Sequence, residues 1–185
     1  MSIEDRKRWD QRHLHAAALS PRSSVQGLPR ATSPASLALD LACGQGRHTK
    51  ALAGLGYRVV AMDVSMQALG HTRRCLDRTK DDRLLALQAD AEDWPFARGE
   101  FDLIVQVDFL ERRLFRHLRE ALRSSGLLLI DTFLDQGSPN AEGPSRPSFV
   151  LSPGELLHEF HDFHVMRYDE VRGATARASL LARKP

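Results

Sequence analysis

Apolar and polar positions alternate in blocks along the middle of the chain. Leu37-Ala38-Leu39 is an apolar run that ends in Asp40-Leu41-Ala42-Cys43-Gly44-Gln45-Gly46, and a helical pattern begins at Arg47. This predicts a buried strand over 37–41, a tight glycine turn, and a helix over 47–55 stopped by Gly56. A second strand is predicted over 57–62, and Ser65 is a good N-cap for a helix running to about residue 78. Further strands are predicted over 84–89, 101–107 and 126–133, with a helix around 112–123. Alternating strands and helices predict an α/β, doubly wound, mostly parallel sheet. Right-handed crossovers then bring the strand C-termini to one edge.

Both ends of the chain break this rhythm. Residues 3–19 read as a helix with an uneven apolar face that includes Trp9. Residues 20–36 hold Pro21, Gly27, Pro29 and Pro34 among serines, and read as a flexible loop. The division expected is therefore 1–36, a helix and loop, and 37–185, the main domain. Residues 136–147 read as another loop. Ser152-Pro153-Gly154-Glu155 has an N-cap, a first-turn proline and a Glu at the third helical position, opening a short helix to Phe160. Residues 161–171 and 174–183 read as two strands joined near Gly173.

Size and composition set limits. The 185 residues suit one core, and 42% hydrophobic with 27% charged residues is ordinary for a globular protein. A net charge of +2 argues against a nucleic-acid binder. No apolar run is long enough to span a bilayer, and Met1-Ser2-Ile3-Glu4-Asp5-Arg6-Lys7-Arg8 lacks a secretion signal. Cys43 and Cys75 supply no disulfide framework, so a reduced, cytoplasmic setting is expected. Oligomeric state is not written in the pattern.

The chemistry concentrates in the first two strands. Glycines at 44 and 46 remove the Cβ atoms that would hold a ligand away from the main chain. The second strand runs into Asp63, 17 residues after Gly46. A strand-loop-helix-strand unit ending in an acid places a carboxylate where it accepts both hydroxyls of a ribose. A dinucleotide fingerprint would need Gly or Ala at Thr49, and the acid Asp40 precedes the turn, so a nicotinamide oxidoreductase is the weaker reading.

Asp40-Leu41-Ala42-Cys43-Gly44-Gln45-Gly46 resembles the first motif of class I methyltransferases that use S-adenosylmethionine (SAM). The string Gly44-Gln45-Gly46-Arg47-His48 is similar to the branch containing tellurite- and thiopurine-type methyltransferases. The resemblance implies a Rossmann-like sheet closed by an antiparallel C-terminal hairpin. It implies SAM as cofactor, S-adenosylhomocysteine as product and a small-molecule acceptor. The implied cofactor-binding set is Asp40, Ala42, Cys43, Gly44, Gly46, Asp63, Val64, Asp90, Ala91 and Val107. Within it, Asp40 meets the ammonium, Asp63 holds the ribose, and Asp90 and the Ala91 amide meet the adenine, walled by Trp94 and Phe96. A leading helix with a Trp lies over the cofactor pocket in similar enzymes.

The stretch after the fourth strand should face the methyl group. The branch reads closer to Asn-Tyr-Leu-His-Arg-Pro-Leu-Phe there. This chain has Asp108, Phe109, Leu110, Glu111, Arg112, Arg113, Leu114 and Phe115, which leaves the acceptor unassigned. Likewise Ser124-Ser125-Gly126 replaces the usual Pro-Gly-Gly turn. Asp108, Phe109 and Trp9 are candidates for stabilising the sulfonium, and His117 is a candidate base. Arg112 and Arg113 are either anion-binding or solvated helix charge. Methyl transfer needs no metal, and His158, His161 and His164 match no standard zinc spacing. Two further readings stay open. One is a non-catalytic SAM- or partner-binding domain. The other is a nucleic-acid or protein methyltransferase using the Arg-rich stretches at 6–12 and 112–123.

Overall fold

A computed structural model describes residues 3–14, 20–77, 83–137, 143–144 and 146–185. The chain forms two compact units, residues 1–96 and 97–185.

In the first unit, helix α1 (Ile3–Leu14) precedes β1 (Leu37–Leu41), α2 (Arg47–Gly54), β2 (Arg58–Asp63), α3 (Met66–Asp77) and β3 (Leu84–Gln88). The helix expected over 3–19 is seen to Leu14, and residues 15–19 lie outside the described residues. Strands β1, β2 and β3 are parallel, with Leu39 beside Val60 and Ala61 beside Ala86. β1 and β2 are almost wholly buried, which is why they read as continuous apolar runs rather than alternating ones. Ser65 caps α3 as expected, its Oγ accepting from the Ala68 amide at 3.2 Å.

The segment at 20–36, expected to be a flexible loop, makes contacts with the rest of its unit. Val25 and Leu28 are buried. The Arg22 amide donates to His48 Nε2, the Ala31 amide to Leu55 O, and the Tyr57 hydroxyl to Pro29 O. The proline and serine content that signals a loop says nothing of two apolar side chains finding a core.

The second unit contains β4 (Phe101–Val107), α4 (Phe115–Ala121), β5 (Leu122–Phe133), α5 (Glu155–Glu159), β6 (His164–Val171) and β7 (Arg177–Arg183). β4 runs parallel to β5, whereas β7 is antiparallel to both β5 and β6, giving the C-terminal hairpin. The seven strands order as β3-β2-β1-β4-β5-β7-β6, a mixed sheet with its antiparallel pairs at the C-terminal strands. Phe160 is fully buried and meets Phe115 and Phe163 edge-on at 5.3 and 5.4 Å.

Two boundaries differ from those predicted. The helix expected over 112–123 is a 3-10 turn at Arg112–Leu114 leading into α4, and β5 starts at Leu122, paired with Phe101. The chain turns sharply at Ser125, whose φ of 64° takes the left-handed conformation of a missing glycine. The capping box before α5 is half formed. The Ser152 amide donates to Glu155 Oε2 at 2.8 Å, but Gly154 in a left-handed conformation precedes the helix. Among the described residues, no helix is long and apolar enough to cross a membrane.

Replacing Ser125 with Gly should relieve the left-handed strain. We expect a stability gain of about 0.5–1 kcal/mol, read as a higher Tm.

Candidate functional site

β1 delivers its backbone into a turn where three alternate residues, Ala42, Gly44 and Gly46, have φ of 54°, 55° and 79°. Ala42 holds a conformation that favours glycine. The turn is fastened to β2, since the Cys43 amide donates to Met62 O at 3.0 Å. The Cys43 side chain packs with Ala61 and Leu69, so it belongs to the core. Burial and the nearby Asp40 and Asp63 charges push its thiol well up, leaving it protonated.

Asp63 stands at the end of β2 and is 8% exposed. Its Oδ2 accepts from the Gly44 amide and its Oδ1 from the Ser65 amide, both at 2.8 Å. Burial raises its pKa, against the pull of these amides and of His13. The Val64 amide bonds the carboxylate as well, so it takes three backbone donors of the roughly four it can accept.

Asp40 is turned inward, only 1% exposed, and its Oδ2 accepts from Thr49 Oγ1 at 2.5 Å. Burial pushes its pKa up to about 7. Thr49, which only distinguished one fingerprint from another in sequence, is Asp40's partner. Gly46 has a structural duty. A Cβ there would lie 2.7 Å from Thr72 Cγ2 and Oγ1. Thr72 in turn donates from Oγ1 to Gly44 O at 3.0 Å, bracing the turn from α3.

α1 approaches the same turn. His13 Cε1 lies 3.4 Å from where a Cβ on Gly44 would stand, and Gln45 Nε2 donates to His13 O at 3.3 Å. Burial lowers the His13 pKa, opposed by Asp63 and Asp10 and helped by Arg12 and His71. Asp10 Oδ1 accepts from Ser65 Oγ at 2.6 Å and from the Gln67 amide at 3.3 Å. Trp9 stacks on His13, with ring centroids 6.1 Å apart. Sequence reasoning singled out Trp9 but missed Asp10 and His13, whose partners lie far along the chain.

After β3, Asp90 is half-buried and its Oδ1 accepts from the Glu92 amide at 2.9 Å, forming a short turn. Ala91 and Val64 are buried, and Val64 O accepts from Gln88 Nε2. Trp94 and Phe96 meet edge-to-face at 5.2 Å.

In the second unit, Asp108 comes after buried Val107 at the end of β4, with a φ of 58°. Its amide donates to Asp131 O at 2.9 Å. Its carboxylate pairs with Arg177 Nη2 at 2.7 Å, and the same nitrogen lies 2.6 Å from Asp131 Oδ1. The guanidinium carbon of Arg177 lies 4.9 Å from the centre of the Phe133 ring. This cluster of two carboxylates and one guanidinium sits at the C-terminal ends of β4 and β5, because Arg177 opens antiparallel β7 opposite Phe133. No motif signals Arg177. Phe109 is half-buried, with its carbonyl accepting from Gln106 Nε2.

The other candidates have structural partners. His117 on α4 neighbours Glu120, which also pairs with Arg98 and Arg116. Arg112 grips Glu155 through two nitrogens and also donates to Ser148 O and Val150 O. Arg113 pairs with Glu111. Neither arginine is set aside for an anion. Among the described residues, no three His, Cys, Asp or Glu side chains are grouped to hold a metal.

These buried charges have two measurable consequences. Asp40's raised pKa means that the folded chain holds a proton the unfolded chain releases, so stability drains away as pH climbs from about 4 to 7. Asp40→Asn should therefore gain on the parent protein by about 2–3 kcal/mol between pH 5 and 8, measured by urea unfolding. Arg177→Gln leaves two carboxylates facing each other and should cost about 3 kcal/mol, visible as a lowered Tm.

Comparison with known proteins bears on this geometry. Residues 38–126 match the family described as "Methyltransferase domain". A probable S-adenosylmethionine-dependent methyltransferase of Mycobacterium tuberculosis, Rv3030, is 28% identical over 159 residues, covering 83% of this chain. The chain spans 48% of that protein's length. In fold it resembles TehB from Haemophilus influenzae, with a TM-score of 0.69 and 23% identity over 82% of this chain and 58% of that one. It also resembles the geranyl diphosphate C-methyltransferase of Streptomyces coelicolor, solved with S-adenosyl-L-homocysteine, with a TM-score of 0.67 and 15% identity over 86% and 73% of the two chains. Over residues 38–126 in sequence, and in fold, the chain is similar to SAM-dependent methyltransferases.

Proposed function

We propose that the protein transfers the methyl group of SAM to a small molecule, with residues 37–185 as the catalytic domain and 1–36 as its leading segment. One observation carries the cofactor end of this reading. Asp63 is held in orientation by the Gly44, Ser65 and Val64 amides with acceptor capacity remaining, at the end of β2 beside the glycine turn. That arrangement fits the two hydroxyls of a ribose. Gly46 leads into α2, whose N-terminus favours a carboxylate. Asp40 lies behind the turn as the acid nearest an ammonium. An ammonium beside it would favour its ionised form. Trp94 and Phe96 supply aromatic surface for the base, next to Asp90 and Ala91.

When bound, SAM would supply a methyl group on a sulfonium for direct transfer to an acceptor, with sulfur leaving as a neutral thioether and any acceptor proton passing to solvent. The protein's contribution is chiefly to hold the acceptor in line. We assign Asp108 and Phe109 to catalysis, with Asp108 fixed in place by Arg177. A small acceptor is supported by the near-neutral charge of +2 and by the kinship in fold with an enzyme of geranyl diphosphate. The Gly44–His48 string favours the tellurite- and thiopurine-type branch. The free, buried Cys43 suits a reduced, cytoplasmic setting.

Calorimetry with S-adenosylhomocysteine is the test. The parent protein should bind it saturably, and Asp63→Asn should weaken binding by roughly one to two decades while the far-UV circular dichroism stays unchanged. Absence of binding at millimolar ligand would defeat the assignment.

A further inference from the structure

Asp108 holds a backbone conformation that residues with a side chain seldom take. Its φ of 58° is left-handed, and strain of this kind persists only where the surroundings over-determine it. Three fastenings act here on two consecutive residues. The Asp108 amide donates to Asp131 O at 2.9 Å. The Asp108 carboxylate meets Arg177 Nη2 at 2.7 Å. The Phe109 carbonyl accepts at 3.0 Å from Nε2 of Gln106, a fully buried side chain. Arg177 is located in its turn. Its Nε donates to Asp131 Oδ1 at 2.8 Å, and its Nη2 lies 2.6 Å from the same oxygen and 3.2 Å from Asp131 O. Its guanidinium carbon lies over the Phe133 ring, 4.9 Å from the centre. That ring packs against Gly143, where a Cβ would stand 2.7 Å from it. Asp131 thus reaches Asp108 twice, once through its own carbonyl and once through the arginine.

We propose that Asp131 and Arg177 are positioning residues that aim the Asp108 carboxylate at the sulfonium of SAM, and that this aim lets the site tell SAM from its uncharged product. This rests on the reading of Asp108 as a catalytic group of a SAM site. SAM and S-adenosylhomocysteine differ only by the methyl group and the positive charge that it leaves on sulfur. A carboxylate aimed at the sulfur attracts the first and has no charge to attract in the second. An aspartate free to rotate at a strand end would turn toward water, where its attraction is screened. The arginine fork prevents that rotation. Asp131 fixes one edge of the guanidinium, and Nη2 is left to hold Asp108. What Arg177 supplies is the aim, so its loss should act on the ligand as loss of the carboxylate does.

The probes are SAM and S-adenosylhomocysteine, each titrated by calorimetry into the full chain. The quantity read is the Kd of S-adenosylhomocysteine divided by that of SAM. Asp108→Asn removes the charge and keeps a side chain that tolerates the left-handed backbone. It should lower the ratio on the order of tenfold. Arg177→Gln should lower it by a similar factor, and the double variant no further, because both changes remove one aimed carboxylate. Arg177→Lys keeps the charge without the fork, and Asp131→Asn keeps the arginine but loosens it. Each should lower the ratio part of the way, and each serves if Arg177→Gln fails to fold. A purely structural role would weaken both ligands alike. An unchanged ratio in the Arg177 and Asp131 variants, a raised ratio on loss of Arg177, or effects that add in full would therefore overturn the positioning role. So would an unchanged ratio in Asp108→Asn. Those outcomes leave S-adenosylhomocysteine binding, and the cofactor reading with it, in place. A parent protein that binds neither ligand would defeat both together.

Discussion

The first unit depends on one carboxylate and three backbone amides. Asp63 joins the turn after β1 to the start of α3 by accepting from Gly44 and Ser65, two residues that no helix or strand pairing would otherwise connect. Amides at such a turn have no partners in regular structure, and leaving them buried and unpaired is costly. An ionised acceptor bonds them more strongly than a carbonyl would. Under the proposed function, the group that organises the loop is also the one that would receive a sugar.

Much of this was legible in sequence because it is periodic or steric. Continuous apolar runs gave β1, β2 and β4, and the Gly44–Gly46 spacing gave the turn. The acid ending β2 gave Asp63. What stayed hidden depends on partners distant along the chain. Arg177 meets Asp108 and Asp131 only because β7 runs antiparallel to β5, which no local pattern encodes. His13 and Asp10 reach Gly44 and Ser65 through helix packing. The early start of β5 was missed because Leu122-Arg123-Ser124 reads equally as helix end or strand. Arg112 looked available for an anion because Glu155 and the carbonyls of Ser148 and Val150 come from a later segment.

The two strand ends that carry the candidate chemistry handle charge differently. Asp63 and Asp40 are satisfied by backbone amides and a hydroxyl, all neutral donors. Asp108 and Asp131 are satisfied by a guanidinium stacked on an aromatic ring. Neutral donors leave a carboxylate able to respond to an incoming cation, as the raised pKa of Asp40 illustrates. A guanidinium sets the orientation of its carboxylates through charged, forked hydrogen bonds.

Gly46 shows how readily a glycine in such a turn can be misassigned. The space left by its missing side chain is filled by the Thr72 methyl and hydroxyl, which also brace Gly44 O. Positions 46 and 72 are therefore one steric unit, divided between a loop and a helix. Across related chains the two should drift as a pair: a lineage that acquires bulk at the first must shed it at the second, and glycine would persist at 46 even in a descendant that had lost every use for a nucleoside.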